Sequence, residues 1–226
     1  MAGSSRRTLG PYGPRDEDGP PAAAPRPAPM RLDRTGGAAG NERLTAATGA
    51  VLLVLFAAEG FTILSIHQLI TVHFFLGMLL IGPVLLKAAA VCYRFVRYYT
   101  GATEYRRKGP PAPLLRVLGP VVLATSLGVL GTGVMLAVDE SAAGPWLFLH
   151  KACFILWFGA MTIHVLAYIW RVPGLIGADL ASHRGAQILA GRPARWLLLA
   201  ASILAGLVIA LTTVHLAVPW GGSGHP

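Results

Sequence analysis

The sequence predicts an all-α membrane protein with five transmembrane helices, and three observations carry that expectation. Hydrophobic residues make up 54% of the 226-residue chain and charged residues only 13%, too few charges to cover a soluble globule of this size. From about Leu44 onward, five apolar runs are each long enough to cross roughly 30 Å of hydrocarbon at about 1.5 Å per residue. The basic residues behind the net charge of +9 sit between these runs, as the positive-inside bias requires, and form no single polar face of the kind that meets nucleic acid. A water-soluble enzyme and a nucleic-acid-binding protein are both disfavoured.

Residues 1–42 hold seven of the seventeen prolines, a mixed-charge run at Arg15-Asp16-Glu17-Asp18 and no apolar stretch that could serve as a signal-peptide core. They are expected to form a disordered cytoplasmic tail. The spans are placed near residues 44–65, 69–93, 114–138, 146–170 and 196–218. Seven basic residues precede the first span, six surround the second connection (Arg94, Arg97, Arg106, Arg107, Lys108, Arg116) and four lie in the fourth (Arg171, Arg184, Arg192, Arg195). The first connection, the third, and the tail at 219–226 carry none. The N-terminus is therefore expected in the cytoplasm and the C-terminus outside. Trp146 and Trp170 bracket the fourth span, and Trp196 and Trp220 the fifth, as amphipathic rings do at the two interfaces. In the connection at 174–195, an apolar stripe through Leu175, Ile176, Leu180, Ile188 and Leu189 fits a short interfacial helix and an ordinary polar loop equally well. Pro83, after Gly82, is expected to kink the second span. Arginine makes up sixteen of the nineteen basic residues, which with abundant Ala and Gly suggests a GC-rich bacterial genome and hence a bacterial plasma membrane.

Three histidines fall well inside spans: His73, His150 and His164. An ionisable group in hydrocarbon is costly, so each is a functional candidate in need of a partner, against the plainer reading of a hydrogen-bonded helix contact. His73 lies about a turn inside the second span and His150 about a turn inside the fourth, and both spans run inward, so the two share a depth. Facing imidazoles on two helices of a bundle are the arrangement that clamps a porphyrin iron from both sides. Gly77, at i+4 from His73, shares its face and would let a flat macrocycle approach the backbone. Gly131 and Gly133 on the third span offer the same. His164 follows His150 by fourteen residues, close to four turns, so the two project from nearly one face about 21 Å apart. Trp157, Cys153, Met161 and Tyr168 lie along or near that stripe, where helix packing is the plainer role. Cys92 and Cys153 lie at opposite depths and cannot pair.

A faint repeat accompanies these positions. Span one ends in Ala57-Ala58-Glu59-Gly60-Phe61 and span two begins Ile70-Thr71-Val72-His73-Phe74. Span three ends in Leu130-Gly131-Thr132-Gly133-Val134 and span four begins Leu147-Phe148-Leu149-His150-Lys151. Two such hairpins make a four-helix bundle, with the fifth span packed peripherally.

With His73 in Val-His-Phe-Phe-Leu-Gly, the His150 and His164 pair, and the small-residue ends at Glu59-Gly60 and Thr132-Gly133, residues 43–173 resemble the bacterial membrane-integral b-type cytochromes that anchor formate dehydrogenase and nickel-iron hydrogenase. The resemblance implies a four-helix haem domain, with an outer haem b held by His73 and His150. It also implies an inner haem held by His164 and a histidine near the cytoplasmic start of helix one. That last ligand is missing, because Leu44 to Val51 contain neither His nor Met. Lys87 stands fourteen residues after His73, level with His164. Lysine is a rare axial ligand, and its ordinary behaviour would be to snorkel toward the cytoplasmic headgroups.

The function expected is that of an electron-transfer subunit rather than a complete enzyme, working in the lipid bilayer between the quinone pool and an extracytoplasmic oxidoreductase partner. No CxxCH, phosphate-binding loop or nicotinamide fingerprint is present. Glu59 could exchange protons with a quinone or pair with Lys151. The alternative of a different class is a haem-free polytopic scaffold or assembly protein whose histidines pack or bind a metal such as copper.

Overall fold

The computed structural model describes residues 37–107, 113–139, 143–171, 173–174, 176–177 and 191–220. Most of the expected tail, most of the connection at 174–195 and the last six residues lie outside the described residues. Among the described residues every regular element is helical, and five helices are long and apolar enough to cross a membrane. They are Gly37–Ile63, Ile66–Tyr99, Pro113–Val138, Ala143–Tyr168 and Arg192–Thr213, the last continued by a 3-10 stretch at Val214–Trp220. A short helix, Thr103–Arg107, follows the second span and turns Tyr105 back onto Tyr93.

The first helix begins at Gly37, inside the segment expected to be tail. Tertiary contacts extend it: Asn41 Nδ2 donates to the Ala90 carbonyl across the hairpin at 3.1 Å, and Gly40 and Leu44 are buried. At the other end the chain reverses within Leu64 and Ser65, and the amides of Gln68 and Leu69 close on the Ser65 carbonyl at 3.0 Å. The fifth span starts after Gly191, which sits at φ 76°, a left-handed conformation that glycine adopts without a Cβ penalty. Pro193 then occupies the first turn, where its missing amide proton costs nothing.

The second span is the hub. It packs along the first span and along the fifth, while the third and fourth form their own hairpin and approach the second more sparsely. Leu52, Leu80 and Val84 form one buried cluster with Phe56 and Leu130 against it. Met78, Ala137 and Ala210 form another, flanked by Phe74, Phe75 and Val134. Much of the remaining apolar surface, including Ile155, Leu156, Phe158, Leu166 and Leu197, is exposed, as suits helices solvated by lipid rather than water.

One expectation needs correction. The fifth span is not peripheral, because it crosses the second span at Gly82 and Gly206. A Cβ on Gly82 would collide with the Ser202 carbonyl oxygen, and one on Gly206 with the Leu79 carbonyl oxygen, so only hydrogen at both positions permits this approach. Within the second span the backbone leaves helical angles at Leu69 (φ −110°, ψ 16°), one turn in, and Pro83 keeps helical ones. Proline at 83 deprives the Leu79 carbonyl of its i+4 donor, and this is the same carbonyl that lies against Gly206. The freed group is thereby covered by the neighbouring helix.

Candidate functional site

The two hairpins bring His73 and His150 together. Their ring centroids lie 6.4 Å apart with the planes at 90°. Each ring is oriented through its Nδ1 by the helix that precedes it in sequence. His73 Nδ1 is 2.8 Å from Thr62 Oγ1 and 3.2 Å from Glu59 Oε1, both on the first span. His150 Nδ1 is 3.1 Å from Thr132 Oγ1 and 3.1 Å from the Val129 carbonyl oxygen, both on the third. The threonines are buried, with 2% and 7% of their surfaces exposed. Helical periodicity accounts for the placing: Glu59 and Thr62 are three residues apart, as are Val129 and Thr132, and that spacing puts each pair on one helix face.

The glycines serve the site differently. Gly133 lies directly under the His150 ring, where a Cβ would stand 3.3 Å from Cε1. Gly77 faces the Glu59 carboxyl, whose Oε1 lies 3.4 Å from where a Cβ would be, so the space over this residue is shared with that side chain. Gly131 has open space beside it. Glu59 is thus directed at His73, while Lys151 is exposed. One Glu59 oxygen, Oε2, is buried without a hydrogen-bond partner.

Behind this pair, Phe56 and Trp157 stack at 4.6 Å between the first and fourth spans. The Trp157 indole donates to Ser126 Oγ at 2.9 Å, tying the fourth span to the third. Cys153 is a free thiol packed beside Gly128. Four turns further along the fourth span His164 lies against Tyr168, with ring centroids 4.8 Å apart, and its buried Nδ1 has no hydrogen-bond partner. The Lys87 ammonium donates to the Thr45 carbonyl at 2.5 Å and lies beside Gly49. The amine turns across to the first span, against the segment that lacks a histidine.

Of the residues singled out in the sequence, the fold unites His73 with His150 and holds His164 apart from both. Sequence reasoning missed Thr62 and the role of Thr132. Their signal was the repeat itself, since each lies within three residues of a glycine near the C-terminal end of an odd-numbered span. Among the described residues no group of three or more His, Cys, Asp or Glu converges. No family model, curated protein or solved structure matches the chain.

Proposed function

We propose that the chain is a membrane b-type cytochrome that carries electrons between the quinone pool and an extracytoplasmic redox partner, with haem b held by His73 and His150. The observation that carries this reading is the 6.4 Å between the imidazole centroids. A metal to imidazole-nitrogen bond is about 2.0–2.1 Å, and the nitrogen lies roughly 1.1 Å from its ring centre, so two imidazoles on opposite sides of one ion have centroids about 6.3 Å apart. The donor set fits as well. A bare transition-metal ion draws three or four ligands from the protein, whereas haem iron asks only for its axial pair.

When bound, haem would supply the one-electron iron couple that neither imidazole nor any other side chain in the bundle offers. The residues of the chain do the rest. Thr62 and Thr132 hold the rings in orientation, Gly133, having no side chain, lets its backbone lie against the His150 ring, and Phe56 and Trp157 pack together beside the pair. The distribution of basic residues supports a position for this pair on the extracytoplasmic side, with the N-terminus inside, and the Arg-rich composition supports a bacterial plasma membrane. Because Lys87 is already engaged with Thr45, the reading is a single outer haem. Such a site cannot by itself pass electrons across the full bilayer, so an external partner subunit is part of the proposal.

The test is a reduced-minus-oxidised spectrum and a pyridine haemochrome assay on the purified chain, with His73→Ala, His150→Ala and His164→Ala in parallel. One haem per chain, lost in the first two variants and kept in the third, is the expected outcome. Absence of haem after supplementation of the expression culture would overturn the reading in favour of a haem-free scaffold.

A further inference from the structure

Both threonine hydroxyls at the site are already committed as donors, and this determines where the imidazole protons must be. Each hydroxyl has one proton and can also accept. Thr62 Oγ1 lies 2.5 Å from the Glu59 carbonyl oxygen, an atom that can only accept. Thr132 Oγ1 lies 2.7 Å from the Gly128 carbonyl and 3.0 Å from that of Val129. With its proton spent on its own helix, each hydroxyl can only accept from the histidine. His150 is constrained twice, since the Val129 carbonyl 3.1 Å from its Nδ1 also cannot donate.

We infer that Thr62 and Thr132 are positioning residues that lock His73 and His150 in the tautomer carrying hydrogen on Nδ1, leaving both Nε2 lone pairs available as axial ligands. The inference deepens the cytochrome reading and rests on it for the identity of the ligand. The tautomer itself follows from the hydrogen bonds alone. The two rings are not equivalent, because His73 shares its Nδ1 proton with the Glu59 carboxyl whereas His150 shares its own with a neutral carbonyl. A carboxyl acceptor raises ligand basicity more than a carbonyl does, so the His73 side is the stronger donor to a bound metal.

The experiment uses the full chain in detergent, as the parent and as Thr62→Val, Thr132→Val, Thr62→Ser and Thr132→Ser. In the haem-free protein, nitrogen-15 spectra of labelled histidine are expected to show His73 and His150 protonated at Nδ1, each assigned through its His→Ala variant. In the haem-loaded protein, each valine variant is expected to lose haem to a competing apoprotein about 10–100-fold faster, the usual cost of removing an outer-shell partner, and each serine variant to restore the parent rate. Protonation at Nε2 in the parent would overturn the inference, and so would valine variants that retain both the tautomer and the parental rate. If a valine variant does not fold, the parent tautomer and the serine variants still decide. A parent that binds no haem but shows both Nδ1 protons would sink the cytochrome reading while leaving the positioning role standing.

Discussion

Replacing Gly206 with alanine tests whether the second and fifth spans meet through backbone. The added methyl would overlap the Leu79 carbonyl, and a methyl at Gly82 would overlap the Ser202 carbonyl and the Gly206 amide nitrogen. None of these atoms is the end of a flexible side chain, so relief requires the two helices to part by roughly 1 Å along their crossing. Over-packing of this kind costs about 1–3 kcal/mol, and because the clash is with backbone the upper end is expected, a roughly 100-fold loss in the folding equilibrium. Parting the helices would also uncover the Leu79 carbonyl that Pro83 leaves without its helical donor, adding to the penalty in lipid. The assay is denaturant unfolding in detergent micelles, with Gly159→Ala as the matched control. Gly159 is a helical glycine with nothing within 4 Å of its would-be Cβ, so alanine there should be neutral or stabilise by up to about 1 kcal/mol. Gly206 lies opposite Leu79, six residues or about 9 Å along the helix from His73, so any haem band should survive in the folded fraction. Equal stabilities for Gly206→Ala and Gly159→Ala would refute the reasoning.

Two further predictions follow from single contacts. Lys87→Met replaces an ammonium that makes one hydrogen bond to Thr45 with an apolar chain of similar length, so stability should be unchanged or higher by about 1 kcal/mol, and the haem content of the parent should be retained. Loss of haem in that variant would show Lys87 to be an axial ligand. Asn41→Ala removes the side-chain bond to the Ala90 carbonyl and should cost about 0.6 kcal/mol, with about 1.7 as the upper end for interhelical bonds in a membrane. It should also increase proteolytic cleavage near residue 40, whereas unaltered cleavage would show that this bond does not hold the first turns of the helix.

The five spans were legible because hydropathy is a local property. A run of apolar residues in lipid must satisfy its own backbone, and only a helix does so within one segment. That His73 and His150 stand level with each other was legible for the same reason, since each lies about a turn inside the helix that follows a hairpin connection. Their distance and their Nδ1 partners were not, because these depend on how helices rotate about their axes. That rotation is set by lateral packing: Thr62, Glu59 and Thr132 are polar groups whose direction no one-dimensional pattern specifies. The start of the first helix at Gly37 escaped for a related reason, as a Pro-rich and Gly-rich approach carries weak helix propensity and only contacts such as Asn41 with Ala90 sustain it.

The sequence by itself determined the number of spans and their order, consequences of the free energy of placing side chains in hydrocarbon. Tertiary structure alone decided which ionisable residues within them meet. It set the fifth span against the second through Gly82 and Gly206, turned Lys87 onto Thr45, and aimed Glu59 at His73. In lipid, hydrophobicity no longer distinguishes one helix face from another, so close steric fit and the pairing of scarce polar groups select the arrangement.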